Sequence, residues 1–311
     1  MIRTEALTKY FGRRCAVRDF EVEIDPRRIV GFLGLNGAGK TTTLRMLAGL
    51  LAPSEGRVWI DDQDLAGPTG HRTRARIGFL PDRPPVHEDM AVADFVRFAG
   101  RLRGASVSAA RVDEVLERTA LTEVRAETIA HLSHGYRQRV GLAQAIVHDP
   151  ALVILDEPTS GLDPRQIVQM RALVKGLGER HTVLLSSHNL HEVSETCDEI
   201  LLIDEGRLAA RGSPRELEER LGGTARLQLT VVGPMSEVEA SVERLKAAGV
   251  GEVQLRASVE EGVHQLSVAT TRLPEDVAGA AFEAGLRIRR LTDAEGDLER
   301  LFARLTGKAQ A

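Results

Sequence analysis

Two cysteines, Cys15 and Cys197, are all that the 311 residues contain, and they stand far apart. They form no metal-ligand spacing and imply no disulfide framework, so a reducing cytoplasm is the home they fit. The chain also lacks any long run of one charge sign, and its formal net charge is -4. The clustered basic footprint of a nucleic-acid binder is therefore missing. The opening stretch MIRTEALTKYFGRR has no apolar centre of the kind a secretion signal needs. Apolar runs stay far below the ~20 residues of a membrane-spanning helix. The longest, Ala151 to Leu155, suits a buried strand. Repeats and low-complexity segments are absent too. What remains, 42% apolar and 28% charged residues, is the composition of a globular protein.

Short apolar runs punctuated by turns fill the first part of the chain. Phe20, Val22 and Ile24 share one strand face, and Asp25-Pro26 turns the chain. Arg28 to Leu33 reads as a strand, Thr41 to Leu51 as a helix, and Val58 to Ile60 as a strand followed by a polar loop through Arg76. From Met90 to Val147 the spacing is helical: Phe95, Phe98 and Ala99 fit one face, and Val112, Val115, Leu116 and Thr119 another. Strands return at Leu152 to Leu155, Thr182 to Ser186 and Ile200 to Ile203, with a helix over Arg165 to Leu177. Strands alternating with helices imply an α/β core, and the helical block reads as an insertion in it. A boundary is expected at Leu221-Gly222-Gly223-Thr224, after which the pattern restarts. Leu227, Leu229 and Val231 alternate. Ser236 with Glu239 forms a capping-box pattern ahead of Val238, Val242 and Leu245. Strand-like alternation at Val253/Leu255 and Leu266/Val268, a helix over Asp276 to Ala284, a strand over Leu286 to Leu291 and a final helix face of Leu298, Leu301, Phe302 and Leu305 complete it. Strand, helix, two strands, helix, strand suggests a small ferredoxin-like α+β domain.

Chemistry concentrates in two places. Gly34-Leu35-Asn36-Gly37-Ala38-Gly39-Lys40-Thr41 matches the P-loop pattern and stands between a strand and a helix, the context that pattern requires. Its glycines let backbone N–H groups curl around phosphate oxygens, and the following helix adds its positive end. Lys40 is placed to reach the β- and γ-phosphates of a bound ATP, the Thr41 hydroxyl to ligate Mg²⁺, and Thr42 follows it at the helix start. A chance glycine-rich turn is the bland alternative. Farther on, the run Ala151 to Leu155 ends in Asp156-Glu157-Pro158. Adjacent acids at a buried strand end are costly without a cation nearby. Asp156 is thus expected in the Mg²⁺ shell, and Glu157 as the general base for an attacking water; an exposed loop pair is the alternative.

A third set of residues carries a resemblance. Leu132-Ser133-His134-Gly135-Tyr136-Arg137-Gln138-Arg139 resembles the signature motif of ATP-binding cassette proteins. Ser160-Gly161-Leu162-Asp163 resembles their D-loop, and His188 their switch histidine, all in the family's order. The resemblance covers residues 1 to about 220. It implies a P-loop ATPase cassette with a RecA-like α/β core, an N-terminal antiparallel β subdomain and an inserted helical subdomain at about 88–148. It further implies Mg-ATP hydrolysis by a head-to-tail dimer that sandwiches two ATP molecules. On that pattern Ser133 and the Gly135 backbone face the partner's γ-phosphate, His188 binds the γ-phosphate edge, and Asp163 connects the two sites. Phe11, or else Tyr10, takes the place of the adenine-stacking aromatic; a packed core aromatic is the alternative for Phe11. Three departures stand out: His134 for the signature's second glycine, Tyr136 for its glutamine, and Asp82 where a Q-loop glutamine is usual. Asp82 still offers oxygens to Mg²⁺ or water. With Asn189 to Val193 and Asp163 to Ile167, these variants resemble the branch serving ABC-2-type exporters, including the gliding-motility-like group.

The expected protein is therefore a cassette of residues 1–221 with an accessory domain at 225–311. It is peripheral to the cytoplasmic face of the inner membrane and coupled to an integral-membrane ABC-2-type permease, with no nucleic acid as partner. A soluble cassette ATPase acting on nucleic acid or ribosomes is the rival, disfavoured by one cassette, no heptads and no basic patch. A P-loop kinase lacks a signature and a switch histidine. His131/His134 and His188/His191 lack the spacing of a zinc helix. Arg101, Arg103, Arg111 and Arg118 are read as a solvated helix face.

Overall fold

Alternation in the first sixty residues builds an antiparallel sheet. Strands β1 (Ile2–Phe11), β2 (Arg14–Ile24), β4 (Glu55–Ile60) and β5 (Gln63–Asp64) line up in the order β2-β1-β4-β5. Phe20, Val22 and Ile24 all point into the core, as their spacing predicts. The computed structural model describes residues 2–220, 225–260, 262–270, 272 and 274–293. The expected boundary turn at Leu221 to Thr224 and the expected helix face of Leu298, Leu301, Phe302 and Leu305 lie outside the described residues. The chain divides into two compact units, Met1–Arg215 and Glu216–Ala311.

The first unit's second sheet holds β3 (Ile29–Leu33), β6 (Ile77–Leu80), β7 (Leu152–Asp156), β8 (Thr182–Ser187), β9 (Glu199–Asp204) and β10 (Arg207–Gly212), in the order β10-β9-β3-β8-β7-β6. Every residue of β3, β7 and β8 is buried. That is why their centres, Val30 to Leu33, Leu152 to Leu155 and Val183 to Leu185, show no polar alternation: a parallel strand covered on both faces has no polar side to alternate with. Parallel pairing sets Leu33 beside Ser187 and Asp156 beside Ser186, so the C-terminal ends of three strands open at one edge. Ligands of open α/β sheets bind at such an edge. Phe20 of the first sheet stacks on Phe32 of the second, with ring centroids 6.1 Å apart, and joins the two sheets in one core. Full burial of each such side chain contributes roughly 1.5–3 kcal/mol.

Helix α1 (Lys40–Leu47) follows the phosphate-binding loop and buries Leu44 and Leu47. Helix α2 (Gly70–Ala75) precedes β6. Between β6 and β7 run α3 (Val92–Leu102), α4 (Ala109–Arg118) and α5 (His134–Ile146), the block the helical spacing predicts. Two more, α6 (Pro164–Gly178) and α7 (Leu190–Thr196), follow, and α8 (Pro214–Arg220) spans the division between the two units. Strands β6 and β10 carry little sequence signal. Ile-Gly-Phe-Leu is too short to show a period, and in Arg207–Gly212 one leucine and two alanines set between arginines give no apolar alternation. The arginines of α4 differ from expectation as well. Arg111 donates to the carbonyls of Ile146 and Val147, capping α5, and pairs with Glu114. Burial holds the Arg118 guanidinium below its usual range, so this is no solvated face.

The second unit contains β11 (Ala225–Val232), α9 (Met235–Ala247), β12 (Glu252–Glu260), β13 (Val263–Thr270), α10 (Pro274–Glu283) and β14 (Ile288–Asp293). Its antiparallel sheet runs β12-β13-β11-β14 and carries a core that includes Leu227, Leu229, Leu245, Leu266 and Val268. The capping box expected of Ser236 and Glu239 does not form. Pro234 is the N-cap and Ser236 lies inside the first turn, because the fixed proline φ starts the helix two residues earlier.

Candidate nucleotide-binding site

The loop after β3 is shaped by glycine. Gly39 has φ +106°, and a Cβ there would stand 2.7 Å from the Ala16 carbonyl oxygen, so no larger residue closes this turn. Helix α1 then begins at Lys40, one residue earlier than the spacing suggests, with its free N–H groups turned to the loop. Lys40 is only 6% exposed. A buried ammonium needs partners. It donates to the Gly34 carbonyl at 2.6 Å and the Leu35 carbonyl at 3.3 Å, and stands 3.6 Å from a Glu157 carboxylate oxygen.

The acidic pair is held from the neighbouring strand. Asp156 is 1% exposed, and its Oδ1 accepts from the Thr41 hydroxyl at 3.0 Å and the Ser186 hydroxyl at 2.8 Å. Ser186 Oγ in turn accepts from the Glu157 backbone N–H at 2.9 Å. That bond holds Glu157 at φ +49°, a strained conformation for a side chain of this kind. The bend turns the Glu157 carboxylate to the cavity, where its Oε2 lies 2.9 Å from His188 Nδ1. Glu192, at the start of α7, accepts from Thr159 and Ser187 on either side and so fixes the loop carrying His188. Among the described residues no group of three His, Cys, Asp or Glu could hold a metal by itself. Thr41 and Asp156 instead offer two adjacent hard oxygens. That suits a cation such as Mg²⁺, which keeps water and phosphate oxygens at most positions.

Lys40, Thr41, Glu157 and His188 open on a cavity of about 500 Å³. Of the residues expected there, Phe11, Asn36, Gly37, Gly39, Lys40, Thr41, Thr42, Asp82, Glu157 and His188 do line it. Gly34 and Ala38 supply loop backbone, and Asp156 sits behind Thr41. Phe11 is 51% exposed and so is no core aromatic; Tyr10 is exposed as well but does not line the cavity. Sequence reasoning missed Arg14, Ala16, Leu35 and Ser160. Leu35 and Ser160 lay inside quoted motifs, while Arg14 and Ala16 carried no signal beyond their nearness to Phe11.

Ser133, Gly135 and Asp163 do not line this cavity. Ser133 is the N-cap of α5 and accepts from the Tyr136 N–H. Gly135 packs against Gln166, whose side chain would lie 2.7 Å from a Cβ. Asp163 and Gln166 form the capping box of α6, each side chain bonding the other's backbone. Asp163 thus already serves its own helix. His134 and Gln138 tie this helix to its surroundings, His134 Nε2 lying 3.0 Å from the Ser160 carbonyl oxygen and Gln138 donating to the Asp82 carbonyl at 2.8 Å. Cys197, buried beside Gly31, has its thiol pushed up by desolvation and is chemically inert.

A family model described as ABC transporter matches residues 17–160. The chain is 32% identical to the linearmycin resistance ATP-binding protein LnrL of Bacillus subtilis, with 99% of each chain covered. It is also 32% identical to the daunorubicin resistance ATP-binding protein DrrA3 of Streptomyces coeruleorubidus, over 98% of this chain and 96% of that one. Among solved structures it resembles a bacterial Atm1-family ABC exporter with ATP bound, at 28% identity and a TM-score of 0.63. That likeness covers 70% of this chain and 39% of the exporter.

Proposed function

The chain belongs to the ATP-binding cassette transporter family as an ATP-binding, ATP-hydrolysing subunit, and from that premise we propose that it powers export through a separate ABC-2-type membrane permease. No helix among the described residues is long and apolar enough to cross a membrane, and the reading assigns the translocation path to the permease. The observation that carries the reading is the convergence of Lys40, Thr41, Asp156, Glu157 and His188 at one sheet edge. The export direction rests on likeness to resistance proteins for linearmycin and daunorubicin.

Phosphate oxygens are bound by the loop N–H groups and Lys40, whose bonds to Gly34 and Leu35 aim the ammonium at them. Thr41 and Asp156 would hold Mg²⁺, with Asp82 as a further oxygen donor on the cavity wall, and the ion would supply charge neutralisation for the phosphate oxygens. Glu157 accepts the proton of the attacking water, and His188 orients the Glu157 carboxylate and contacts the γ-phosphate edge. Phe11 offers its exposed ring to adenine. Two chains close head to tail, so that Ser133 and the Gly135 N–H of one meet the γ-phosphate bound by the other, with Asp163 near the crossing. Closure and reopening move a permease docked on the helical subdomain and the loop from Asp82 to Met90, at the cytoplasmic face of the membrane. The second unit is the ferredoxin-like accessory domain, on the order of β11, α9, β12, β13, α10 and β14 among its described residues.

The test is co-expression with a candidate ABC-2-type membrane permease, followed by purification and ATPase assay in lipid. Co-purification with ATPase activity that responds to lipid reconstitution is expected. A chain that turns over ATP but retains no membrane partner would overturn the transport reading and leave the ATPase standing.

A further inference from the structure

A second cavity, of about 440 Å³, lies against the nucleotide cavity and shares Arg14, Ala16 and Gly37 with it. Its walls come from three segments: the β1–β2 turn, the phosphate-binding loop and the β9–β10 turn. Backbone bonds lock them together. The Arg18 N–H donates to the Gly206 carbonyl, and the Gly206 N–H to the Ala38 carbonyl, each at 2.8 Å. This is a fixed frame, unlike a loop that drapes over solvent.

Charge is what distinguishes the cavity. Arg13, Arg14, Arg18 and Arg207 line it, against the single carboxylate of Glu205. Asp19 reaches Arg207 only at 3.9 Å with both side chains exposed, which counts for little. Among the described residues Arg13 and Arg14 make no ion pair. Arg18, like the other three arginines, keeps its charge at any physiological pH. Four guanidinium forks around a concavity focus a positive field and match the tetrahedral oxygens of phosphate. The chain carries a net charge of -4, so this positive patch runs against its own balance.

We propose that this cavity is a second anion site, distinct from the ATP site, that takes a pyrophosphate-bearing ligand. The ligand is held by Arg13, Arg18 and Arg207, while Arg14 stands between the two cavities. Its occupancy and that of the ATP site then influence each other through Arg14 and Gly37, a coupling that rests on the nucleotide reading above. An inorganic diphosphate and the diphosphate of a nucleotide share the recognised chemistry.

The full chain is titrated with magnesium pyrophosphate in a calorimeter, with the ATP site saturated by a non-hydrolysable ATP analogue. Saturable binding is expected in the wild type, and binding weaker by about tenfold or more in Arg13→Ser/Arg18→Ser, as loss of charge-assisted forks requires. The analogue's affinity should change by no more than about twofold in that variant. Should the serine variant fail to fold, Arg13→Lys/Arg18→Lys carries the test, since it keeps the charge but loses the planar fork. It must bind at least about threefold more weakly than wild type. A GDP titration separates the sources: tighter binding than pyrophosphate assigns a nucleotide ligand, equal binding an inorganic one. Loss of pyrophosphate binding when the analogue is present would mean that it occupied the ATP site, and equal binding by the variants would place it elsewhere; either overturns the proposal. If the wild type fails to bind the analogue, the nucleotide reading falls, and the serine variant still tests this cavity.

Discussion

His134 Nε2 lies 3.0 Å from the carbonyl oxygen of Ser160, joining the first residue of α5 to a residue that lines the nucleotide cavity. A glycine at position 134 could make no such bond. The departure from the usual signature therefore adds a direct tie between the signature helix, proposed to face the partner's nucleotide, and the chain's own site. Gly135 against Gln166, and the hydrogen bond from Arg139 to Gln169, reinforce it along α6.

His134→Gly should thus leave ATP affinity within about twofold and lower kcat by about 2–10-fold, the span that one hydrogen bond of ~0.5–1.5 kcal/mol covers. The Hill coefficient for ATP should fall with it. His134→Asn, which keeps a polar group near Ser160, should recover part of the loss. Steady-state ATPase assays across ATP concentration read all three. A Gly variant with wild-type kcat and Hill coefficient would leave the bond a local packing detail.

Glu157 sits between Lys40 at 3.6 Å and His188 at 2.9 Å, which is where a base for the attacking water belongs. Glu157→Gln should retain ATP binding and slow hydrolysis by about 10²–10⁴-fold. The trapped nucleotide should stabilise a dimer, visible as a shift in size-exclusion chromatography with ATP. Turnover at the wild-type rate would remove Glu157 from the base role.

The loop of residues 34–41 and the pair Asp156-Glu157 were legible because each needs a fixed local order, glycines before a helix and acids after a buried run. The bonds that aim them were not. Ser186 holds both acids from a strand 30 residues away, and nothing in the run Thr182 to Ser187 distinguishes it from an ordinary core strand. Arg14 and Ala16 enter the cavity only because the β1–β2 hairpin folds back on the loop, a tertiary fact without a local pattern. In the fold, strand β6 escaped for its shortness and β10 because Leu208 and two alanines between arginines show no alternation. The capping box at Ser236 misled because Pro234 starts the helix sooner.

Ser186→Ala tests that hidden support. Its hydroxyl is fully buried, donates to Asp156 and accepts from the Glu157 N–H. Losing it should cost about 1–3 kcal/mol of stability and weaken Mg-dependent ATP binding more than Mg-free binding. Denaturant titration and nucleotide binding with and without Mg²⁺ check both. Equal loss under the two conditions would mean that Ser186 supports the fold alone.

Two histidines give the stability of the first unit a pH dependence. Desolvation, followed by the charge of Arg103, lowers His148 to about 4, and His181 is lowered chiefly by desolvation. Both are therefore neutral in the folded chain near neutrality. Above about pH 6.5 neither adds pH dependence, since folded and unfolded forms are both deprotonated. As pH falls from 6.5 towards 4, the unfolded chain binds protons that the folded chain refuses, and stability drops. Partial exposure of His148 limits its share to about 1–2 kcal/mol. His148→Gln should flatten the fall between pH 6.5 and 4 in urea unfolding. An unchanged slope would assign the loss to other groups.

The second unit should be dispensable for the chemistry. Every residue lining the nucleotide cavity precedes position 189, and the first unit closes its sheet with β10 by Gly212. The second unit has a core of its own, with Leu227, Leu229, Leu266 and Val268 on one sheet face against Val242 and Leu245 of α9. A core of this size is marginal by itself. A 1–221 fragment should therefore fold, bind Mg-ATP within about threefold of the full chain and hydrolyse it, while its dimer affinity or its response to the permease changes. Circular dichroism establishes folding, calorimetry the nucleotide affinity, and ATPase rate against protein concentration the dimerisation. If the fragment folds but does not bind ATP, residues 225–311 belong to the active cassette, because no contact within the nucleotide cavity would account for the loss.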